Sequence, residues 1–331
     1  MENYGVTQII TDEVPQDELW EKIYKVQEIL KNKYFSEDEY TLYKVYVPRT
    51  NNVACRGISI KAESIKPTPT FYIDEADLNS YNEEQIAYYI YKSYIEQKDY
   101  QSRLNNFDLK KLYDYQEAKD IVYPMFLNKE LNSNSGLVFY DIENIDDVAI
   151  AFYINVQDID KDAKSLIKIN NNMFNLWNIS IQELLDQSII NLNKKGYYNK
   201  NICAYLIDRA ELYGHKLPYE TFIMAKAMES DGNMLDVITT DRNLDFMYGS
   251  SFVYAARKEL ANKYNGEFYF ILSSIHESMI IKKNIYENLL SGKDIHDMVV
   301  SVNRDILSKD EFLSDSVYKY IGSEDRFVKV S

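Results

Sequence analysis

The sequence predicts an α+β protein in which mixed, mostly antiparallel sheets carry packed helices. Three observations lead to that class. Stretches that alternate apolar and polar residues recur along the chain, interleaved with stretches of helical spacing. Only 10 Gly and 6 Pro stand among 331 residues, which argues for long regular elements over a loop-rich sandwich. The densest apolar run, from Met234 to Ile281, reads as strand, turn, helix and strand, and the other elements are organised around it.

In chain order, Leu19, Ile23, Val26 and Ile29 or Leu30 lie at helical spacing within 14–33. Acids come early there and lysines late, as the helix dipole favours. Residues 41–48 alternate as a strand, Asn51-Asn52 marks a turn, and 56–62 alternate again, which predicts a hairpin. Residues 70–74, after Pro67 and Pro69, read as a third short strand. Ser80-Tyr81-Asn82-Glu83 has the capping-box pattern, whose serine oxygen and glutamate carboxylate satisfy free N–H groups at a helix start. Behind it Ile86, Tyr89, Ile90 and Tyr94 form an apolar stripe. A base-stacking platform of Tyr88, Tyr91, Tyr94 and Tyr100 would need cationic companions, and this helix carries almost none, so packing is the favoured reading. A linking helix around 107–118 completes an N-terminal α+β unit, 1–118.

The C-terminal α+β unit, 119–331, opens at Ile121-Val122-Tyr123-Pro124. Strands are expected at 136–142, 147–156 and 165–170. A second capping box, Ser180-Ile181-Gln182-Glu183, then leads into a helix over 183–192, with Gly196 as its C-cap. Both units thus run three strands and a boxed helix, the pattern of two related halves that pack as one core or as two. Residues 200–232 are the least periodic and read as a connection with a short helical run at 221–228. The organising stretch supplies a strand at 234–240, a helix over about 250–264, and two strands or one bent strand across 267–282. An amphipathic helix follows at 295–306 through Ile295, Met298, Val299, Val302 and Ile306. A third box, Ser308-Lys309-Asp310-Glu311, predicts a final helix through Tyr320.

Composition narrows the function classes. Hydrophobic residues at 46% and charged residues at 27% are ordinary globular values and exclude wholesale disorder. The 30 Tyr are spread over the chain, so no single tyrosine is a signal. Lys and Arg number 37 against 52 Asp and Glu, a net charge of −15. Duplex binding needs a basic footprint, and no basic block occurs, so direct nucleic-acid binding is disfavoured. The acidic balance suits a solvated surface, a basic protein partner, or mimicry of nucleic acid towards a basic protein. Cys55 and Cys203 have no paired spacing, which fits a reducing cytosol. The N-terminus has acid where a signal peptide needs base, and no window approaches 18 uninterrupted apolar residues. The expectation is a cytoplasmic protein, away from the membrane, with a protein as partner and no cofactor.

Chemistry is suggested at two places. Ser273-Ser274-Ile275-His276-Glu277-Ser278 holds the most unusual polar cluster, and Ser274, His276 and Glu277 are the catalytic candidates. On a straight strand, however, Ser274 and His276 would stand roughly 7 Å apart, too far for direct activation, and no G-x-S-x-G turn exposes a nucleophile. Gly249-Ser250-Ser251, just before an expected helix, is a weak anion-site candidate, with Asp241-Arg242-Asn243 upstream of it. No phosphate-loop or dinucleotide fingerprint accompanies it. No metal site is expected: His215, His276 and His296 are scattered, and the acidic segments 141–147 and 158–162 lack the order of a calcium loop.

Several strings together carry a resemblance: I-V-Y-P-M-F-L-N-K-E-L-N (121–132), D-V-A-I-A-F (147–152), M-F-N-L-W-N-I-S (173–180), Y-G-S-S (248–251), I-L-S-S-I-H-E-S-M-I-I (271–281) and L-S-D-S-V-Y-K-Y (313–320). The chain resembles an uncharacterised family of clostridial and other Firmicutes bacteria, a domain of unknown function, most specifically at the S-S-I-H-E string. Leu272 stands where that family has proline, and serines follow Gly249 in place of smaller residues. The resemblance implies a bacterial cytosolic protein and no particular activity. The leading expectation is therefore a non-catalytic protein that works by macromolecular interaction. Its alternatives are a hydrolase or transferase using His276 with Ser274 or Glu277, and an acidic nucleic-acid mimic.

Overall fold

The computed structural model describes residues 18–62, 68–104, 109–158, 166–212, 214, 218–229, 235–240, 248–289 and 292–330. The fold is α+β, and every strand pairing among the described residues is antiparallel. The chain forms two compact units, Met1–Leu112 and Tyr113–Ser331. His215, Asp241-Arg242-Asn243 and most of the acidic segment 158–162 lie outside the described residues.

The first unit holds α1 (Glu18–Lys33), β1 (Tyr40–Pro48), β2 (Ala54–Ala62), β3 (Thr70–Tyr72), α2 (Glu75–Ser80) and α3 (Glu83–Leu104). Its sheet is a meander, β1-β2-β3, with the expected hairpin in register from Tyr40↔Ala62 to Pro48↔Ala54. Asn51 and Asn52 turn it with φ of 58° and 56°, the left-handed region that asparagine tolerates. Ile23, Val26 and Leu30 of α1 meet Ile58 and Ile60 of the sheet and Ile86, Ile90 and Tyr94 of α3 in one core. Two sequence expectations are corrected here. Ser80 is the last residue of α2, and α3 is capped instead by Asn82 and Gln85, whose side chains bond each other's backbone N–H at 2.9 and 3.0 Å. Ala87 fills the buried stripe where Tyr89 was expected, and Tyr89 is half exposed.

The second unit opens with α4 (Tyr115–Ala118), β4 (Val122–Asn128), β5 (Phe139–Asp141), β6 (Val148–Asn155) and β7 (Leu166–Lys168). β6 is the spine of this sheet, with β4 along one edge and β5 and β7 along the other. This order differs from the first unit's meander. Alternation does not announce β4, a continuous apolar run containing Pro124. Proline is tolerated there because β4 is an edge strand. α5 (Asn171–Trp177) and α6 (Ile181–Lys195) follow, with Ser180 accepting the Glu183 N–H at 3.1 Å and Gly196 closing α6 at φ 75°.

Residues 200–232 contain far more order than a connection. β8 (Tyr197–Asn201) runs into α7 (Ile202–Leu212), which packs against α8 (Tyr219–Glu229). β9 (Asp236–Thr240) precedes a 3-10 turn at Gly249–Ser251, then α9 (Phe252–Ala255) and α10 (Arg257–Lys263). The expected helix over 250–264 is thus interrupted, its second break falling at Ala256 (φ −98°, ψ 11°). β10 (Glu267–Ile271), β11 (Glu277–Ile281), α11 (Lys283–Leu289), α12 (Gly292–Ile306), β12 (Val317–Ile321) and β13 (Arg326–Lys329) complete the chain. Along α12, Ile295 and Val299 are buried whereas Met298 is exposed.

A six-stranded sheet of order β13-β12-β10-β11-β9-β8 centres this unit. Period-two alternation divides its faces. Tyr269, Ile271, Ile281 and Val317 pack with Ile285, Ile295 and Val299 of α11 and α12. Phe268, Phe270, Tyr318, Tyr320 and Phe327 form an aromatic layer with ring centroids 4.9–5.8 Å apart. The final helix expected from Ser308 to Tyr320 is therefore a loop and a strand. Ser308 closes only a turn, its carbonyl accepting the Glu311 N–H at 3.1 Å. The aromatic and β-branched residues beyond it pair on both sides instead, with β10 and β13.

Candidate functional site

The two stretches singled out by sequence meet in one place. The link from β10 to β11 runs beside residues 311–313: Leu313 N–H donates to Ser273 O at 3.0 Å, Ile275 N–H donates to Glu311 O at 3.1 Å, and Ser274 bridges Phe312. Against its other side sits the Gly249–Ser251 turn. Ser250 directs both its N–H (3.3 Å) and its hydroxyl (3.0 Å) to Ile275 O, and Ser278 donates to Ser250 O at 3.2 Å. Ser251 Oγ accepts the Phe126 N–H from β4 at 3.0 Å, tying the two sheets of this unit together. A Cβ at Gly249 would lie 1.8 Å from His276 O and 2.6 Å from Thr239 Oγ1, so only glycine permits this approach. The backbone and hydroxyl groups that an anion would address at Ser250 are directed inward, and all three residues are buried.

The catalytic candidates divide between two environments. Ser274 is buried, and its Oγ accepts the main-chain N–H of His276 at 3.1 Å, a local serine turn. The His276 ring points elsewhere. Its Nε2 stands 3.1 Å from Glu311 Oε1, a hydrogen bond made when that nitrogen carries the proton. Both side chains are about one-third exposed, at 35% and 36%. Glu277 is partly buried, and burial raises its carboxyl above the usual carboxylate range. His276 and Arg209 pull it back down, Glu311 pushes it up, and a hydrogen bond from the Tyr205 hydroxyl lowers it. Arg209 also lies over the Tyr205 ring, 5.8 Å from its centre, so α7 supplies this site with a cation and a phenol. The resulting cluster of imidazole, two carboxylates, guanidinium and phenol can store and pass a proton. Sequence spacing gives no hint of Glu311, Tyr205 or Arg209, because long-range strand and helix packing brings them in.

Other carboxylates are held by internal donors. Asp147 accepts from Tyr318 (2.5 Å), Ser314 (2.8 Å), Ser316 (3.1 Å) and Lys329 (3.2 Å). Asp158 takes the Tyr123 hydroxyl at 2.5 Å and the Lys195 ammonium, and Asp325 takes Arg257 and Tyr320, each at 2.8 Å. His296 Nδ1 lies 3.1 Å from Asp315 O. Among the described residues no group of three or more His, Cys, Asp or Glu side chains is arranged to hold a metal ion, and no helix is long and apolar enough to cross a membrane.

A family model described as a family of unknown function (DUF5688) matches residues 22–321. No curated protein matches the chain. No solved structure does so either.

Proposed function

The chain belongs to that family of unknown function, and we propose that it is a non-catalytic, bacterial cytosolic protein that acts by binding another protein. One observation carries the reading. α8, Y-E-T-F-I-M-A-K-A-M-E, is mostly apolar, yet none of its described side chains is buried. Tyr219, Ile223, Met224 and Met228 are exposed, Tyr219 at 77% and Met224 at 64%, and Leu206 of α7 is exposed as well. A helix of this composition is ordinarily buried, and exposed apolar side chains gathered on one helix suit an interaction site. Methionine suits such a surface because its flexible thioether adapts to a partner. The net charge of −15 disfavours nucleic acid and anionic lipid as that partner, which leaves a protein. Carboxylates such as Asp147, Asp158 and Asp325 are neutralised within the chain, so they add nothing to a nucleic-acid-like face.

The test is site-specific photocrosslinking. A photoreactive residue at Met224 should give a discrete heavier adduct in the native cell. The adduct should disappear when Ile223 and Met228 are changed to Lys. The same probe at Arg304, exposed on α12, should give none. Equal labelling from both positions, or none from either, refutes the reading. The His276 cluster favours a second reading, acid–base hydrolysis or transfer by His276 with Glu277. Under that reading His276→Ala abolishes turnover while leaving the melting temperature nearly unchanged.

A further inference from the structure

A second feature lies at the end of the six-stranded sheet where β9 and β10 begin and β11 and β12 end. A cleft of about 810 Å³ opens there, lined by Asp236, Lys263, Tyr264, Glu267, Lys282 and Lys283, with Glu287 at its side. That volume falls within the range of small-molecule sites. Six charged side chains stand in its walls among apolar surface such as Ile321. Asp236, only 6% exposed, accepts a hydrogen bond from the Tyr264 hydroxyl on Oδ2 at 2.7 Å. Its Oδ1 accepts no hydrogen bond from a described side chain. Two ammonium groups flank the carboxylate just beyond hydrogen-bond reach, Lys282 at 3.7 Å from Oδ1 and Lys263 at 4.0 Å from Oδ2. Glu267, by contrast, is closed on both oxygens, by Lys283 and by Lys319 at 2.8 Å.

We propose that this cleft binds a small zwitterion of the α-amino-acid class. A buried carboxylate with one oxygen that accepts no hydrogen bond from a described side chain offers a place for an ammonium group. The Lys263 and Lys282 ammonium groups on either side offer a place for a carboxylate one or two bonds away. Three lysines, Lys263, Lys282 and Lys283, face three acids, Asp236, Glu267 and Glu287. A simple anion would therefore meet the buried Asp236 carboxylate, and a simple cation would meet three ammonium groups. Only a ligand with both charges close together satisfies both sets. Tyr264, packed on Phe268 with ring centres 5.9 Å apart, fixes the Asp236 side chain before a ligand arrives. This site is independent of the α8 surface.

Calorimetric titration of the full chain with each of the twenty standard L-amino acids tests the proposal. The tightest is then compared with its 2-hydroxy-acid analogue, its decarboxylated amine and inorganic phosphate. Saturable binding of at least one amino acid is expected, at least tenfold tighter than binding of the three comparison compounds. Asp236→Asn should weaken it at least tenfold. Lys263→Met, at a half-exposed position, should weaken it severalfold and serves should the Asp236 variant fail to fold. No binding by any of the twenty overturns the proposal. So does a hydroxy acid or phosphate that binds as tightly, or affinity unchanged in Lys263→Met.

Discussion

Replacing Asp147 should unlatch the C-terminal strands from the β6 sheet. Its carboxylate receives hydrogen bonds from Ser314, Ser316 and Tyr318 and an ammonium contact from Lys329, all from the segment containing β12 and β13. Burial pushes its carboxyl up, but the Tyr318 and Ser314 hydroxyls and the Lys329 ammonium outweigh that and hold it below the usual range. Hydrogen bonds to a charged group contribute about 1.5–3 kcal/mol each but are not additive. Removing the carboxylate leaves three buried hydroxyl groups without their acceptor, and about 3–5 kcal/mol, the cost in a fully buried cluster, is the upper end for this partly buried one. Asp147→Ala should therefore lose up to about 3–5 kcal/mol. Tyr318→Phe, which removes one donor and leaves an apolar ring in place, should lose about 1.5–3 kcal/mol. Urea denaturation followed by far-UV circular dichroism reads both, provided the slope with denaturant is unchanged. Because the folded carboxyl titrates below its unfolded value of about 4, its contribution is fully present above that pH and is lost as pH falls through the folded value. Asp147→Asn should accordingly show a flatter decline in stability on acidification than the parent. A loss under about 1 kcal/mol in Asp147→Ala, with an unaltered acid limb in Asp147→Asn, would refute the latch.

Gly249→Ala should destabilise by about 3 kcal/mol or more, since its Cβ meets backbone carbonyl oxygen at 1.8 Å, and a thermal melt within 2 °C of the parent would sink that argument. Glu277→Gln should raise the melting temperature at neutral pH. The raised carboxyl makes its charge unfavourable above its folded pKa, so the gain should vanish once acid has protonated the parent residue. A gain that persists undiminished in acid contradicts this. Ser251→Ala should cost about 1–3 kcal/mol by leaving the buried Phe126 N–H without its acceptor, and hydrogen exchange at Phe126 should accelerate.

Local pattern was legible where local physics decides. The β1–β2 hairpin, the β10 and β11 strands and the Ser180 cap all follow from alternation, asparagine turns and a side-chain acceptor at the right spacing. Failures occur where a tertiary partner outranks local preference. Ser308-Lys309-Asp310-Glu311 has a helix-start pattern, yet β10 and β13 recruit the following V-Y-K-Y-I as a strand. α7 was hidden for the opposite reason: its apolar residues lie on several sides, so no amphipathic period stands out, whereas the short helical run at 221–228 is α8. At the candidate site, His276 and Glu277 were visible as an unusual pair. Glu311 was misread as part of a cap because only the 273–275 pairing with 311–313 brings it to the imidazole.

The strand order of the large sheet bears on how the protein is made. Each neighbour in the first unit's meander is also the next strand in the chain, so that unit can close soon after residue 112 leaves the ribosome. β8 and β9 are synthesised early but lie at one edge of a sheet whose centre, β10 and β11, arrives some residues later, and whose far side needs β12 and β13 at the very end. β9 therefore emerges with no β11 to pair with, and β10 waits for β12 while α11 and α12 are translated between them. During that interval β10 has β11 on one side but an open, apolar edge on the other, the kind of surface that chaperones recognise. Termination between residues 113 and 317 should therefore leave the first unit folded and the second as a substrate for proteolysis.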